Sequence, residues 1–413
     1  MRYATWMRVF LVLVGGALAA CVPAGMPAPV TGTIPAHTET PIVSTIPTLT
    51  PAATAPAATP TQPPPSAMLP APVYFLAPSG TTQQIWRIEN DGTAQTPITK
   101  EPSGVTDFDV SPADGSLAYV SGNVLIKADA QGHNRTVLVQ GQPLAPERNE
   151  SYYTTEVTRP RWSPDGARIA YGLNGINLID AADGATIAVL PNDSIPGPSD
   201  PVTQTAKLYW PYSWSPDGGR MLIEIGYYRG EGSMGVLNLA ENKVLSLSSP
   251  QGYVCCAPAW SPDSQSIYYA NAVEGIVPPG LWRTDVITGQ SETLIDGIAK
   301  DATLSVSSAF PSQDGQLYYF YAVTKAPRDP GSATPLSMYR AKNDGVTDQT
   351  QLRTDAYVIG EALWATDASG AVIVEARDAA GQYPPSGPLF YLKADGSPAV
   401  PLAEDGRLLR WGK

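Results

Sequence analysis

RWSPDGARIAYG, residues Arg161 to Gly172, is the stretch from which the fold is read. It returns as SWSPDGGRMLIEIG from Ser213 and AWSPDSQSIYYA from Ala259. Looser copies are DVSPADGSLAYV from Asp109, AFPSQDGQLYYF from Ala309 and LWATDASGAVIV from Leu363. With Asp114, Asp165, Asp217, Asp263 and Asp314 as markers, the period is roughly 46 to 52 residues, the range of blades and solenoid units.

Each copy has a local logic. Trp162 closes one strand, Ser-Pro opens a tight turn with the proline ring pre-setting φ, Asp165 accepts turn amides, and Gly166 takes the positive-φ position. Ile169 and Tyr171 then alternate with small or polar residues, the period of a strand buried on one face. A second signature follows as IWRIENDGT from Ile85, INLIDAADGAT from Ile176, LWRTDVITGQ from Leu281, MYRAKNDGVT from Met338 and FYLKADGS from Phe390. It reads as a strand, a glycine-containing hairpin turn and a short outer strand, so the unit is a four-stranded antiparallel sheet.

The second, third and fourth strands occur seven times, beginning at Val73, Ser116, Arg168, Met221, Ser266, Leu317 and Ala371, whereas the first strand precedes its turn only six times. The missing copy is LLRW, Leu408 to Trp411, at the far end of the chain. A chain that opens on strand two and ends on strand one pairs its two ends and leaves no open edge. The pattern predicts an all-β fold, a seven-bladed β-propeller of four-stranded antiparallel blades over residues 73–413. Pairing of the N- and C-terminal strands, between residues 73–95 and 406–412, closes it.

The W-S-P-D-G turn, the I-x-Y strand after it and the D-x-x-G turn resemble the WD-like repeats of TolB-type propellers over nearly all of residues 73–413. Such propellers occur as scaffolds, binding proteins and accessory domains of enzymes, so the resemblance implies a shape more than an activity.

Ahead of the repeats, Arg2 and Arg8 flank an apolar run, Val9 to Ala20, that ends at Cys21. Basic, apolar and small residues in that order are those of a secretory signal, and Leu18-Ala19-Ala20-Cys21 resembles the bacterial lipobox. The alternative, a short membrane helix with an incidental cysteine, fits less well because the run is short and ends abruptly. The resemblance implies a signal peptide over residues 1–20, acylation of Cys21, and a lipoprotein on the outer side of a membrane, where stable anchoring takes more than one acyl chain. Residues 21–72 are rich in Pro, Thr and Ala, carry hardly a charge beyond Glu39, and have no period. Such a disordered tether cannot bury enough apolar surface to offset its ordering entropy. In polyproline form it reaches about 150 Å.

Composition narrows the partners. With 26 basic and 38 acidic residues the formal net charge is −12, and no run of Lys or Arg occurs. Nucleic acid and anionic lipid surfaces are therefore poor partners. The chain has two histidines, His37 in the tether and His133 in a predicted turn, which leaves no basis for histidine acid–base catalysis, a Ser-His-Asp set or a multi-histidine metal site. No G-x-S-x-G elbow is present, unlike propeller-plus-hydrolase enzymes of the prolyl-oligopeptidase kind. The adjacent Cys255 and Cys256 read as two small buried residues or one strained bridge. Asp165, Asp217 and Asp314 belong to equivalent turns of different blades, and turn capping explains them. No catalytic residue, metal or cofactor is assigned.

Loop lengths point to one face. Turns after strands one and three are uniformly tight, whereas connections after strands two and four carry the long insertions. These are Gly141–Glu156, Pro191–Leu208, Tyr227–Ser233, Ser249–Val254, Asn271–Gly280, Thr324–Leu336 and Arg377–Gly387. The long-loop face is also aromatic, with Tyr152, Tyr153, Tyr209, Trp210, Tyr212, Tyr227, Tyr228, Tyr253 and Tyr383 in or beside the loops. Tyr and Trp offer large contact area with a polar handle, suited to protein interfaces and sugar rings. Arg159 and Glu361 stand three residues before Trp162 and Trp364 on inner strands, at the expected channel mouth.

Two functions fit these residues. One is a non-enzymatic surface module that binds an envelope or extracellular protein, or a glycan, through the long-loop face. The other is a carbohydrate-active enzyme with paired carboxylates, for which Glu147, Glu150, Glu231 and Glu361 are the candidates. Glycosidic chemistry requires two carboxyl groups about 5 to 9.5 Å apart.

Overall fold

A computed structural model describes residues 67–92, 95–144, 152–195, 205–227, 230–247, 258–273, 277–325, 334–376 and 385–413. All fall within one compact unit, Pro63–Lys413. Cys21, the signal segment and nearly all of the tether lie outside the described residues, as do Cys255 and Cys256.

Among the described residues the strands assemble into six antiparallel sheets, four of four strands, one of five, and one of seven that reads as two four-stranded blades sharing a strand, which makes seven blades. Blade 2 runs Asp107–Val110, Leu117–Ser121, Val124–Ala128 and Thr136–Gln140 from the inside outward, and blade 3 runs Thr158–Trp162, Arg168–Gly172, Gly175–Asp180 and Thr186–Pro191. The inner strands of blades 4 to 7 are Lys207–Trp214, Ala259–Trp260, Ala302–Pro311 and Ile359–Trp364. The second strands begin at Val73, Leu117, Arg168, Arg220, Ser266, Gln316 and Gly370, each within one residue of its predicted start. Blade 6 carries an addition the repeat pattern did not contain, the short strand Ile298–Ala299 beside its inner strand.

Blade 1 closes the ring with a strand borrowed from the other end of the chain. Val73 pairs with Trp411, Tyr74 with Arg410 and Leu76 with Arg407. The closing strand is longer than LLRW. Val400–Trp411 pairs along its first half with Gly387–Lys393 of blade 7 and along its second half with Val73–Ser79, so blades 7 and 1 share one continuous strand. Gly406 lies where the strand passes from one blade to the next. A Cβ there would be 2.5 Å from Phe75 Cδ2 and 2.9 Å from Leu389 Cδ1, so the passage has room for glycine only.

The apolar faces made by strand alternation meet between neighbouring blades. Among the described residues there are seven apolar clusters, one at each junction. They join Phe75 to Val372 (blades 1 and 7), Tyr74 to Tyr119 (1 and 2), Val120 to Tyr171 (2 and 3), and Ala170 to Ile223 (3 and 4). The remaining three join Leu222 to Tyr269 (4 and 5), Tyr268 to Tyr319 (5 and 6), and Phe320 to Ile373 (6 and 7). Each fully buried large side chain contributes about 1.5–3 kcal/mol, and the ring closes without a gap in this sequence of cores.

The tryptophan of the W-S-P-D-G turn does more than end a strand. Trp214 Nε1 donates to the Arg161 carbonyl at 2.9 Å, Trp364 Nε1 to the Ser308 carbonyl at 2.7 Å, and Trp411 Nε1 to the Trp364 carbonyl at 2.7 Å. Trp260 Nε1 donates to Ser213 Oγ at 3.2 Å. These four indoles reach back to the inner strand of the preceding blade and lace adjacent blades together, whereas Trp162 Nε1 in blade 3 is buried without a hydrogen-bond partner. The serine and aspartate act as the turn requires. Asp165 Oδ1 accepts from Ser163 Oγ at 2.5 Å and from the Ala167 amide at 3.0 Å, and Asp217 and Asp263 repeat the pattern. Among the described residues one helical turn is assigned as an element, Tyr152–Thr155, and no helix is long and apolar enough to cross a membrane.

Candidate functional site

Several inner strands carry a bulge a few residues before their tight turn. In blade 3 the register with the second strand shifts between Thr158 and Arg161, and Arg159 adopts φ 50°. Ser308 and Leu408 take φ 53° and 58° at the equivalent places in blades 6 and 1. The conformation is thus a recurrent device of the fold, and the side chain mounted on it varies.

In blade 3 that side chain reaches toward blade 4. Arg159 Nη1 lies 2.5 Å from Glu224 Oε2, and the guanidinium sits 5.5 Å from the centre of the Trp210 ring. Trp210 and Glu224 are direct cross-strand partners in blade 4. Two glycines make room for the indole. A Cβ at Gly226 would be 2.6 Å from Trp210 Cζ3, and one at Gly172 would be 3.2 Å from Trp210 Cδ1. Tyr153, on the helical turn before blade 3, approaches from outside with ring centroids 6.5 Å apart and planes tilted by 59°. Asn192 ties these parts together, donating to the Tyr153 carbonyl at 3.0 Å and accepting from the Tyr209 amide at 2.8 Å. The cluster stays half-buried, at the crevice between blades 3 and 4.

Three residues singled out in the sequence, Tyr153, Arg159 and Trp210, therefore come together. Tyr152 lies half-buried on the same helical turn. Tyr209 is only 9% exposed and packs in the core between blades 3 and 4. Burial, with the charge of Asp193 and the neighbouring Tyr227, pushes its hydroxyl pKa up. Tyr212 packs half-buried against the core of blades 4 and 5, and its carbonyl accepts from Arg161 Nε at 2.9 Å. Tyr227 is half-buried at the end of its strand, opposite Lys207. Tyr228, Tyr253, Tyr383, Glu147 and Glu150 lie outside the described residues, and only the backbone of Glu231 is described.

Glu361 has a structural task. Its Oε2 accepts the Leu408 amide at 2.7 Å and its Oε1 the Leu409 amide at 2.8 Å, so both oxygens hold the closing strand. Burial pushes its pKa up, opposed by Arg410 and the two amides. Other charges on the inner strands are likewise paired. Arg410 Nε meets Asp109 Oδ1 at 2.9 Å, while Asp109 Oδ2 accepts the Trp162 amide at 2.7 Å. Arg161 grips Asp107 through two contacts of 3.0 and 3.3 Å. Burial opposes the charge of Arg161, but Asp107 and Asp109 outweigh it and its pKa is raised. Asp107, Asp109, Arg161, Glu361 and Arg410 thus hold one another and the backbone.

The sequence reading missed Glu224 and Asn192. Glu224 had a signal, as the one charged residue inside the apolar run MLIEIG. Asn192 had a weaker one, shared with Asn123 and Asn271, since each asparagine fastens the base of a long connection through backbone groups. Asn123 Nδ2 donates to the carbonyls of Gln142 and Thr155 while its Oδ1 accepts the Val157 amide. Asn271 Nδ2 donates to the carbonyls of Val273 and Val277.

No protein-family model and no curated protein matches the chain. Among solved structures it is similar to a puromycin hydrolase, with a TM-score of 0.52 and 13% identity over 83% of this chain and 53% of the other. It is also similar to an oligogalacturonate lyase in complex with manganese, with a TM-score of 0.51 and 12% identity over 80% and 84% of the two chains. TolB from Acinetobacter baumannii aligns with a TM-score of 0.42 and 15% identity over 82% of each chain. The chain spans about half of the puromycin hydrolase, and at such identities what it shares with these proteins is the fold.

Proposed function

We propose that this protein is a lipid-anchored, extracytoplasmic β-propeller that acts as a non-enzymatic binding or scaffold module, recognising an envelope or extracellular protein or a glycan through its long-loop face. The observation that carries this reading is the cluster of Tyr153, Arg159, Trp210 and Glu224. It places two half-buried aromatic rings beside a charge pair at the base of the long loops. Aromatic faces flanked by a fixed donor and a fixed acceptor suit recognition, and a charge-neutral pair adds polar contacts without an unpaired buried charge. The anchor rests on Leu18-Ala19-Ala20-Cys21, with residues 21–72 as a spacer between the membrane and a propeller over residues 73–413.

The glycosidase reading is less favoured, because Glu361, the one of its four candidate carboxylates whose side chain is described, is engaged by the backbone amides of Leu408 and Leu409 in holding the closing strand. Capture of glycans and envelope proteins on the immobilised protein, compared with a Tyr153→Ala/Trp210→Ala variant of equal stability, tests the proposal. Retention by the first and loss by the second supports it. Retention by both places recognition elsewhere, and consumption of a glycan in solution would establish an enzyme.

A further inference from the structure

A second site lies on the flank of the ring, away from the aromatic cluster. Between the outer parts of blades 1 and 2 a crevice of about 550 Å³ is lined by Arg87, Glu89, Lys100, Glu101, His133 and Arg135, among others. At its base Glu101 is only 9% exposed. Its carboxylate accepts from Tyr119 Oη at 2.7 Å, from Arg135 Nε at 2.8 Å and, through the second oxygen, from Arg135 Nη2 at 3.3 Å. Gln84 fixes the backbone of the same residue, accepting the Glu101 amide at 3.0 Å and donating to its carbonyl at 2.8 Å.

This arrangement is a poor way to gain stability. A buried carboxylate loses its hydration, and an apolar residue of similar volume would serve a core at least as well. What the network does achieve is orientation. Arg135 is held along its Nε–Nη2 edge while the side chain remains 47% exposed, so a planar guanidinium is presented in a fixed pose at the crevice. Burial works to raise the pKa of Glu101, but the bonds from Arg135 and Tyr119 prevail and hold its carboxyl below the usual carboxylate range. The ion pair is therefore complete at neutral pH.

The surrounding charge has the opposite sign to that of the protein. Three permanent cations line the crevice, Arg87, Lys100 and Arg135, against two carboxylates, Glu89 and Glu101, on a chain of net charge −12. Arg87 is paired with Glu89 at 2.8 Å and Arg135 with Glu101, so among the described residues lining the crevice the exposed Lys100 is the excess cation. His133 stands two residues from Arg135 on the same hairpin turn. A rigid guanidinium and an exposed ammonium lining one crevice form a donor set that takes a planar or tetrahedral oxyanion.

We propose that this inter-blade crevice binds an oxyanion group, a phosphate, sulfate or carboxylate borne by a small molecule or a polymer, with Arg135 as the fixed donor and Lys100 as the second cation.

The test is calorimetric titration of the purified protein with inorganic phosphate, sulfate and malonate, repeated on Lys100→Ala and Arg135→Lys. Lys100 is exposed and outside the buried network, so its variant folds whatever the outcome at Arg135. Binding of at least one probe, weakened by about tenfold or more in each variant, is expected from the loss of a charge-assisted contact. The three probes separate phosphate-, sulfate- and carboxylate-bearing sources by rank. Absence of binding by all three, or binding unchanged in Lys100→Ala, overturns the proposal and leaves the long-loop reading untouched.

Discussion

Trp411 donates its Nε1 hydrogen to the carbonyl of Trp364, 2.7 Å away, so the last tryptophan of the chain is fastened to the inner strand of the blade before it. The same lacing holds Trp214 and Trp364, and at Trp411 it secures the strand that closes the ring. Trp411→Phe keeps much of the packing and removes the donor, for an expected cost of about 1 kcal/mol. Trp411→Ala also empties the junction between blades 7 and 1, and a loss of about 3 kcal/mol is expected. Equal denaturation midpoints for Trp411→Phe and the parent would show that packing alone does the work.

Glu361 holds the same strand three residues earlier. Glutamine in its place sets an amide group, a donor, against one of the backbone amides of Leu408 and Leu409. A loss of about 2–4 kcal/mol is expected, because a charged acceptor is removed and a buried donor is left unpaired. Limited proteolysis should then cut first within residues 400–413. Uniform cleavage at the surface loops in both proteins would argue against a closing role.

These two residues also show how far the sequence could be read. The repeated turn revealed the repeating strands and the closure, though not the extra strand Ile298–Ala299, because proline, aspartate and glycine each have one reason to occupy their turn positions. It could not reveal that Val400–Trp411 serves two blades. That depends on Gly406 passing between Phe75 and Leu389, a contact between residues more than 300 apart. For the candidate site, the aromatic loops brought Tyr153, Arg159 and Trp210 forward, and the structure places these three side chains together. The same rule swept in Tyr209, whose side chain turns into the core because successive residues of a strand face opposite sides and Trp210 takes the other one. Glu361 had a sequence position equivalent to Arg159, but a carboxylate next to two free amides becomes a clamp and a guanidinium cannot.

Gly406→Ala tests the shared strand directly. The added methyl would meet Phe75 and Leu389 within 3 Å, so those side chains or the strand must shift. Destabilisation of about 1–3 kcal/mol is expected from overpacking.

Acid should weaken the ring through its turns. The serine hydroxyls of Ser163, Ser215 and Ser261, with turn amides, hold Asp165, Asp217 and Asp263 below the ordinary carboxylate range. Because the folded pKa is depressed, their contribution is complete above the unfolded value of about 3.9 and is lost as pH falls through the folded one. Melting temperature should therefore drop below about pH 4, and more shallowly in an Asp165→Asn/Asp217→Asn/Asp263→Asn variant. Parallel acid profiles for the two proteins would remove these turns from the account.

Gly226→Ala separates the recognition cluster from the scaffold around it. Its new methyl would fall 2.6 Å from Trp210 Cζ3, on a strand whose other groups are untouched, so the indole has to leave its place beside Arg159. The expected result is a changed tryptophan emission spectrum, a stability loss of about 1–3 kcal/mol, and loss of whatever ligand the long-loop face retains. Arg159→Lys probes the same geometry more gently, since an ammonium keeps the charge opposite Glu224 but lacks the plane that stacks on the ring. If Gly226→Ala binds as the parent does while the emission shifts, Trp210 is displaced without consequence, and recognition does not run through the crevice between blades 3 and 4.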